Sequence, residues 1–424
     1  MLLALATGCG PNDGWATDNP PTTGPGGEWT QWRGPSRDGK VIAEGLLDHW
    51  GNRLPRVLWR RTLGAGFGGL AVADDRALVL HTQGRNESLS CLDARSGETV
   101  WELDLGRSFF GGQGNGPRTT PLVVGDTVFA VASRRVVAVA LADGTLRWSR
   151  QLDDPPQWGF SSSPLLDEGR LIFHGWLAGG GPAHHRDPAE GASASDGVAE
   201  NGAIVALDPA DGTTLWTAEP GHPGYASPLV ASLAGRRQVV SFIGSGLVAL
   251  DPSSGERLWD FPWATAYGVN AADPVLVGDD RVFVSSGYDS GSALVRVHAD
   301  GESLAVEEIW RQPRMKNHFS SSVVDGDVLY GFDTANLVAF DLETTEHLWR
   351  QRGFGKGSLV LTGDRLLVLG EEGLLALVEA TPDAYRERGK LQILDHGSWT
   401  PPTLAGTWLL ARDHHDVVCL DLGE

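Results

Sequence analysis

The sequence predicts an all-β fold: an eight-bladed β-propeller of four-stranded antiparallel blades, with the last blade closed by an N-terminal strand. A ten-residue phrase that runs from Asp through a turn to Leu-Trp recurs, as LDPADGTTLW at 207–216, LDPSSGERLW at 250–259 and FDLETTEHLW at 340–349. Short apolar runs joined by Gly-Asp turns precede the copies, as in TTPLVVGDTVFAVAS at 119–133. Brief strands with such turns indicate antiparallel sheets.

The number of repeats sets the number of blades. A single four-stranded sheet cannot bury both of its faces, whereas sheets arranged radially about an axis can. The third strands of eight repeats end near Asp93, Asp143, Asp208, Asp251, Asp300, Asp341, Glu379 and Asp421. The last repeat lacks a fourth strand, and RVLWRRTLG at 56–64 has the Leu-Trp signature without a preceding turn, so we expect it to complete that blade. Seven blades is the alternative, because the unit at 355–394 has no Trp and would use KLQIL at 390–394 as its fourth strand.

The repeats over residues 56–424 resemble the quinoprotein-type propeller family, in which AxDGxxxW phrases mark the blades. That family includes pyrroloquinoline-quinone alcohol dehydrogenases and the lipoprotein subunit of the outer-membrane β-barrel assembly machine, an eight-bladed scaffold without cofactor. The chain is also similar to bacterial secreted proteins described as quinone-binding-like propeller repeat proteins, through QWRGPSRDG at 31–39, NHFSSSVVDGDVLYGFD at 317–333 and SWTPP at 398–402. This last resemblance implies no reaction for the chain.

The N-terminal segment predicts export. MLLALATGCG resembles the end of a signal sequence with a bacterial lipobox, so residues 1–9 are interpreted as its remnant and Cys9 as the lipidated residue. An ordinary cleaved signal is the alternative. Residues 10–28 are expected to form a disordered tether. No apolar run reaches the roughly 18–20 residues that span a bilayer, so we expect the lipid to be the only membrane attachment, on the periplasmic side of the cell envelope.

Two further segments lie outside the repeats. Residues 29–55 are expected to form a leader that packs on the propeller through Trp32, with Arg33 hydrogen-bonded. Residues 176–202 are interpreted as a mobile insertion, and its adjacent His184 and His185 point to opposite sides of an extended chain, which disfavours a shared metal ion.

Composition excludes one class of partner. The chain has 424 residues, with 34 Lys+Arg against 54 Asp+Glu and a net charge of −20. Nucleic-acid binding draws on clustered cations, so this balance excludes such a partner. Cys91 and Cys419 occupy equivalent positions in two repeats and are expected to be buried and unpaired. We expect a monomer.

A ligand-binding face is predicted where the loops enter the innermost strands, since these loops open together beside the axis and differ from one another. Four cations would gather there on an acidic protein, which favours an acidic or oxygen-rich ligand. Plain turn chemistry is the alternative reading of the Ser, Asn and Asp in these loops. The predicted residues are Asn115, Arg118, Tyr225, Asn270, Asp273, Arg314, Lys316, Asn317, His318, Lys356 and Trp399.

No catalytic residue, metal or cofactor is predicted. The resemblance to quinone-dependent dehydrogenases implies a vicinal Cys pair, a Trp beneath the quinone and a Ca²⁺ site; the chain has no adjacent cysteines and no Asp-rich loop to supply about six oxygen ligands. Asn270 and Asp273 could instead orient a metal or base, or Asp273 could simply open a turn. The prediction is a binding or scaffold module for an envelope protein or an anionic small ligand. A diverged pyrroloquinoline-quinone-dependent enzyme with Ca²⁺ is the alternative.

Overall fold

The computed structural model describes residues 26–178, 203–219 and 221–424. The predicted lipidation site Cys9, the tether up to residue 25 and residues 179–202 of the insertion lie outside the described residues.

The described residues form eight sheets, each with four antiparallel strands and one with an added fifth strand, which confirms the predicted propeller. Two strands precede the first complete blade, β1 (Lys40–Val41) and β2 (Arg56–Thr62). Within each blade the first strand is the innermost. Blade 1 comprises β3 (Ala71–Ala73), β4 (Arg76–Gln83), β5 (Asn86–Asp93) and β6 (Thr99–Arg107). Blade 2 comprises β7 (Leu122–Val124), β8 (Thr127–Val131), β9 (Arg135–Ala140) and β10 (Leu146–Gln151).

Blades 3 to 5 follow in the same order. Blade 3 comprises β11 (Leu165–Asp167), β12 (Arg170–His174), β13 (Ile204–Leu207) and β14 (Thr214–Ala218). Blade 4 comprises β15 (Leu229–Leu233), β16 (Arg236–Ile243), β17 (Gly246–Leu250) and β18 (Arg257–Pro262). Blade 5 comprises β19 (Val275–Val277), β20 (Arg281–Ser286), β21 (Gly291–Asp300) and β22 (Ser303–Gln312), and a short 3₁₀ turn (Ala266–Gly268) precedes it.

Blades 6 to 8 complete the ring. Blade 6 comprises β23 (Val323–Asp325), β24 (Val328–Asp333), β25 (Asn336–Asp341) and β26 (His347–Gln351). Blade 7 comprises β27 (Ser358–Thr362), β28 (Arg365–Leu369), β29 (Leu374–Glu379) and β30 (Glu387–Gln392). Blade 8 comprises β31 (Thr403–Ala405), β32 (Trp408–Arg412) and β33 (Asp416–Asp421), with β2 as its outer strand.

Closure of the ring by the N-terminal strand is confirmed. Strand β2 pairs antiparallel with β33 and places Trp59 opposite Cys419. Blade 7 is a complete blade, so the seven-blade alternative is wrong, and its fourth strand begins three residues before the predicted position 390. Strand β1 adds an unpredicted fifth member to that sheet, parallel to the innermost strand β27.

The recurring Leu-Trp phrase joins neighbouring blades. In six cases the indole N–H of the outer-strand Trp donates to a backbone carbonyl in the next blade at 2.7–3.0 Å. The pairs are Trp59 with Ala94, Trp101 with Leu141, Trp148 with Pro209, Trp216 with Pro252, Trp310 with Leu342 and Trp349 with Thr381. The indole also covers a glycine of the next blade's turn where the phrase has one, as Trp101 covers Gly144. The phrase therefore repeats because each blade needs one indole to dock on its neighbour.

Two blades depart from this rule. In blade 4 the indole N–H of Trp259 donates to Gln238 Oε1 of the same blade at 2.5 Å, since blade 5 replaces the usual turn with a long hairpin. In blade 7 the register places Gly389 opposite Leu377, at the position that Trp occupies elsewhere. There the leader supplies Trp50, which is 2% exposed and whose Cβ lies 2.5 Å from the place of a Cβ on Gly389.

We expect Gly144→Ala to lower the free energy of unfolding more than Gly125→Ala does. Both glycines have positive φ, +73° and +56°, so both alanines incur left-handed strain of about 1–2 kcal/mol. Only at Gly144 would the new methyl group meet a neighbour, Trp101 at 2.7 Å, which adds overpacking of about 1–3 kcal/mol. Urea unfolding of the two variants measures the difference. Equal costs would show that the indole moves aside freely.

Candidate functional site

The predicted binding loops lie on one face of the ring. Each innermost strand begins on this face, which we call the mouth face, and ends at a hairpin turn on the opposite face, the turn face. Because the strands of a blade alternate in direction, the loop between the second and third strands also returns to the mouth face. The mouth therefore combines two loops from each blade, and the sequence prediction considered only one of them.

A belt of hydrogen bonds joins the blades just below the mouth. In blades 2 to 6, the residue two positions before the innermost strand accepts a hydrogen bond from the backbone N–H at the same position of the preceding blade. The links run from Gly69 to Thr120 (2.8 Å), Thr120 to Ser163 (2.9 Å), Ser163 to Ser227 (2.9 Å), Ser227 to Asp273 (2.7 Å) and Asp273 to Ser321 (2.9 Å). The side chains of this inter-blade belt are committed to holding the ring together.

Three predicted site residues are buried and internally bonded. Asn270 donates to the carbonyls of Ile243 and Trp263 at 2.8 and 3.2 Å and is 0% exposed. Asn317 donates to Phe332 O at 3.0 Å and accepts from Ser322 Oγ. Asp273 is a member of the belt. The structure gives these side chains structural partners, and their role in ligand binding stays a prediction.

The four predicted cations differ in the groups that they contact. Arg118 donates to the carbonyls of its own loop and lies over the rings of Phe67 and Phe109, 4.7 and 4.9 Å from their centroids. Arg314 is directed to Glu346 at 2.8 Å, and Lys316 to Asp289 at 3.4 Å.

The remaining predicted residues differ in exposure. Asn115 is exposed and Tyr225 is 8% exposed. Lys356 is half-buried, and its backbone N–H donates to Glu371 Oε2 at 3.0 Å. Glu371 Oε1 accepts from the indole N–H of Trp399 at 2.9 Å. Glu371 thus fixes the orientation of both neighbours.

Aromatic rings form an arc around the mouth that the sequence analysis did not identify. Ring centroids lie 4.8–5.5 Å apart along the series Tyr288, His318, Phe319, Trp399 and Phe67, and Arg118 links Phe67 to Phe109. His414 packs against the same arc. We call these residues the aromatic rim. Tyr288 is 56% exposed and the adjoining Phe110 48% exposed. Phe319 adjoins the predicted His318, so an aromatic beside a polar loop residue was the available clue.

Burial keeps the histidines of the rim neutral at physiological pH. Burial, with a smaller contribution from the Lys356 ammonium, lowers the pKa of His318 to about 4. Burial likewise lowers the pKa of His414, with its neighbour His415 contributing. Burial lowers the pKa of Arg118 to about 10, which leaves it charged. The rim is therefore an apolar surface that carries the charge of Arg118, with Lys316 opposite Asp289 and Lys356 beside Glu371 next to it.

His174, buried in β12 below this face, gives the fold a dependence on acidity. Burial lowers its pKa to about 3, so only the unfolded chain takes up the proton as pH falls below about 6.5. Its contribution to stability is fully present above that pH and is lost below it, by about 2 kcal/mol at pH 5 relative to pH 7. We expect His174→Leu to flatten the pH dependence of urea unfolding; a dependence as steep as that of the wild type would contradict this.

The residues of the mouth do not fit the quinone and calcium site that the dehydrogenase resemblance implies. Cys91 and Cys419 are buried and free, in separate blades. Trp399 is already stacked on Phe67 at an interplanar angle of 21°, so this ring does not offer a free floor for a planar cofactor. Within the described ranges, no group of three or more His, Cys, Asp or Glu is placed to hold a metal ion.

The turn face has a cavity of about 370 Å³ between leader residues 31–40 and the innermost strands of blades 3 to 5. Its exposed cations have carboxylate partners, Lys40 with Asp38 at 3.4 Å and Arg237 with Asp167. The mouth remains the candidate binding face because Arg118 there lies over ring faces, whereas these two cations of the turn face lie against carboxylates. No helix among the described residues has the length and apolar character to cross a bilayer.

Known proteins share this sequence pattern and fold. A family model described as outer membrane protein assembly factor BamB matches residues 50–196 and 85–351. A protein of that description from Burkholderia pseudomallei (strain K96243) is 26% identical over 313 residues, which cover 69% of this chain and 68% of the relative.

Solved structures extend the likeness in fold. BamB from Moraxella catarrhalis superposes with a TM-score of 0.59 at 16% identity, over 87% of this chain and 98% of that one. Quinohemoprotein alcohol dehydrogenase from Comamonas testosteroni superposes with a TM-score of 0.60 at 10% identity, over 93% and 80% of the two chains. At these identities the likeness shows the fold alone.

Proposed function

The chain belongs to the outer membrane protein assembly factor BamB family of quinone-binding-like repeat β-propellers, and from that premise we propose that it is a protein-binding scaffold that assists the assembly of outer membrane proteins. The Burkholderia pseudomallei relative, which is described as an outer membrane protein assembly factor, supports this proposal. The mouth, whose residues do not fit the dehydrogenase cofactors, supports it independently.

The observation that carries the proposal is the aromatic rim. Monomeric proteins rarely leave large apolar side chains clustered at the surface unless they bind something. Aromatic residues and arginine dominate the binding energy of protein interfaces. Phe319, Trp399 and Phe67 are half-buried by one another and by Arg118, so they are held in place before a partner arrives. Such preorganisation reduces the entropy lost on binding.

The charges beside the rim define the partner segment. Arg118 carries its charge against ring faces rather than against a carboxylate. Lys316, which faces the exposed Asp289, and Lys356 lie in the loops before blades 6 and 7. We propose that the partner presents an extended segment with aromatic or aliphatic side chains and acidic residues, because such a segment complements both the rings and the cations.

We expect Phe319→Ala combined with Trp399→Ala to reduce partner capture at least tenfold, since loss of one central aromatic costs about 2 kcal/mol or more. A photo-crosslinking residue at Phe110, beside the rim, reports capture in cell-envelope extracts as adducts with protein partners. Leu348→Ala is the matched control, because Leu348 is also an exposed apolar residue, 37% exposed, but lies on the outer strand of blade 6.

Two outcomes would redirect the proposal. Adducts from a crosslinker at Leu348 but not at Phe110 would move the binding surface to the blade edge. An anionic small molecule retained by the purified chain, lost in Lys316→Ala with Lys356→Ala and without any protein adduct, would identify the mouth as a small-ligand site. Native mass spectrometry of the purified full chain detects such a ligand.

We also propose that the chain acts in the cell envelope as a lipid-anchored monomer. The lipobox-like sequence before Cys9 motivates the anchor. Recovery of the chain in the membrane fraction, and its release by Cys9→Ala, is the expected result. Equal release of both forms would remove the anchor from the proposal.

A further inference from the structure

The leader is bonded to every blade of the ring. It runs along the turn face and across the axis, and its backbone or side chains make hydrogen bonds of 2.6–3.1 Å around the described propeller. These join Trp29 to Val72 of blade 1, Thr30 to Val123 of blade 2, Arg37 to Pro164 and Pro228 before blades 3 and 4, Trp32 to Asp273 before blade 5, Arg33 to Ser322 before blade 6, Gly39 to Leu361 of blade 7 and Leu47 to Leu422 of blade 8.

The leader contacts the inter-blade belt at Ser163, whose backbone carbonyl accepts from Arg37 at 3.0 Å, and at Asp273, whose side chain it holds. Asp273 Oδ2 accepts from the indole N–H of Trp32 at 2.6 Å and lies 3.7 Å from the guanidinium of Arg33. Asp273 Oδ1 accepts from Ser227 N–H in the belt, and Asp273 N–H donates to Ser321 Oγ. Asp273 is the carboxylate among the belt residues described above. Its two oxygens can accept hydrogen bonds from the leader and from the neighbouring blade at the same time.

The mouth loops are continuous with the belt at this point. The N–H groups of Tyr225 and Ala226 both donate to the carbonyl of Asn270, at 2.8 and 3.0 Å, and Ser227 follows directly. Phe319 of the aromatic rim lies two residues before Ser321. A displacement of Asp273 would therefore be transmitted to the loops of blades 4, 5 and 6 through short, hydrogen-bonded segments.

We infer that the leader is a positioning element for the mouth: Trp32 and Arg33, inserted from the turn face, hold Asp273 and through it set the placement of the mouth loops that carry Tyr225, Asn270 and Phe319. The motif QWRGPSRDG would therefore affect a binding surface to which it contributes no residue. The consequence for partner capture rests on the proposed function, whereas the effect on the loops does not.

Amide hydrogen exchange of the full chain tests the inference, with Trp32→Phe compared with Trp50→Ala. Trp32→Phe removes the indole N–H and keeps an aromatic ring. We expect the amides of residues 223–227, 268–273 and 317–321 to exchange about tenfold faster, because local opening follows the loss of the bond that holds Asp273. Trp50→Ala destabilises the leader near blades 7 and 8, away from Asp273, and is expected to leave these loops at their wild-type rates.

The outcomes separate positioning from general destabilisation. Unchanged loop exchange in Trp32→Phe, or equal acceleration in Trp50→Ala, would overturn the inference. Asp273→Ser is the second variant, since serine occupies this belt position in blades 3, 4 and 6 and can keep the belt while it releases the leader. Because it also removes the carboxylate beside Arg33, its loop exchange is compared with that of Trp50→Ala, which is also expected to lose stability, and the loops should exchange faster in Asp273→Ser. No partner is needed for this readout, so its failure is distinguishable from failure of the proposed function.

Discussion

Replacing Trp50 with alanine is expected to lower the free energy of unfolding by about 3–5 kcal/mol, the range measured for large aromatic residues removed from a core. Trp50 is 2% exposed, and its backbone N–H donates to Arg388 O at 3.0 Å. It belongs to the same apolar cluster as Ile393 and Leu394 of blade 7 and Leu422 at the end of blade 8. Its loss would leave a cavity between the blade that lacks its own Trp and the blade that closes the ring. Urea unfolding measures the effect.

A double substitution tests whether the leader's indole replaces the missing one. Gly389→Trp alone should destabilise the fold, because its Cβ would lie 2.5 Å from Trp50 Cβ. In a Trp50→Gly background, which removes that Cβ together with the indole, the same change should recover part of the stability lost in Trp50→Gly, since the new indole would occupy the vacated space. Additive losses in the double variant would show that Trp50 stabilises the leader alone. Ile42→Ala, at an 86% exposed leader position, is the neutral control.

The repeat phrase was sufficient to predict the ring because its residues act locally. The turn, the small residue of the third strand and the indole of the fourth strand lie within about ten positions of one another, so the pattern can be detected in the sequence. Closure was predictable for the same reason, since Leu58 and Trp59 carry the phrase's ending without its beginning, and the last repeat has the beginning without the ending. The pairing of Trp59 with Cys419 follows that complementarity.

The role of Trp50 and the aromatic rim could not be predicted from the sequence, because the residues involved are far apart in the chain or follow no repeated pattern. Trp50 and Gly389 are 339 positions apart, and a glycine in place of Trp in one repeat does not reveal which residue fills the space. The rim draws Phe67, Tyr288 and His414 from loops with no common period. Asn270 and Asn317 illustrate the opposite difficulty: polar residues before a strand are equally suited to a ligand or to the backbone, and only the folded chain shows the backbone partners of these two buried side chains.

Substitution of Asp273 by alanine is expected to cost about 3–5 kcal/mol of stability, because it leaves the buried Arg33 without its nearby carboxylate. The two side chains are 4% and 5% exposed at a separation of 3.7 Å. Burial lowers the pKa of Arg33, and Asp273 is the largest opposing influence. The same change would leave the indole N–H of Trp32 and the amide of Ser227 without their acceptor, and each buried unpaired donor adds about 1–3 kcal/mol in isolation.

Two variants at this position separate the charge from the hydrogen bonds. Asp273→Asn keeps an oxygen acceptor and removes the charge, whereas Asp273→Ser can keep the belt and removes the contact with the leader. If the ion pair dominates, both should lose nearly as much stability as alanine; if the belt dominates, serine should be the mildest change. A loss below about 1 kcal/mol for alanine would mean that the Arg33 charge is compensated elsewhere. Because Arg33 and Trp32 approach from the turn face and Ser227 from the mouth, this one carboxylate joins the leader on one side to the belt on the other.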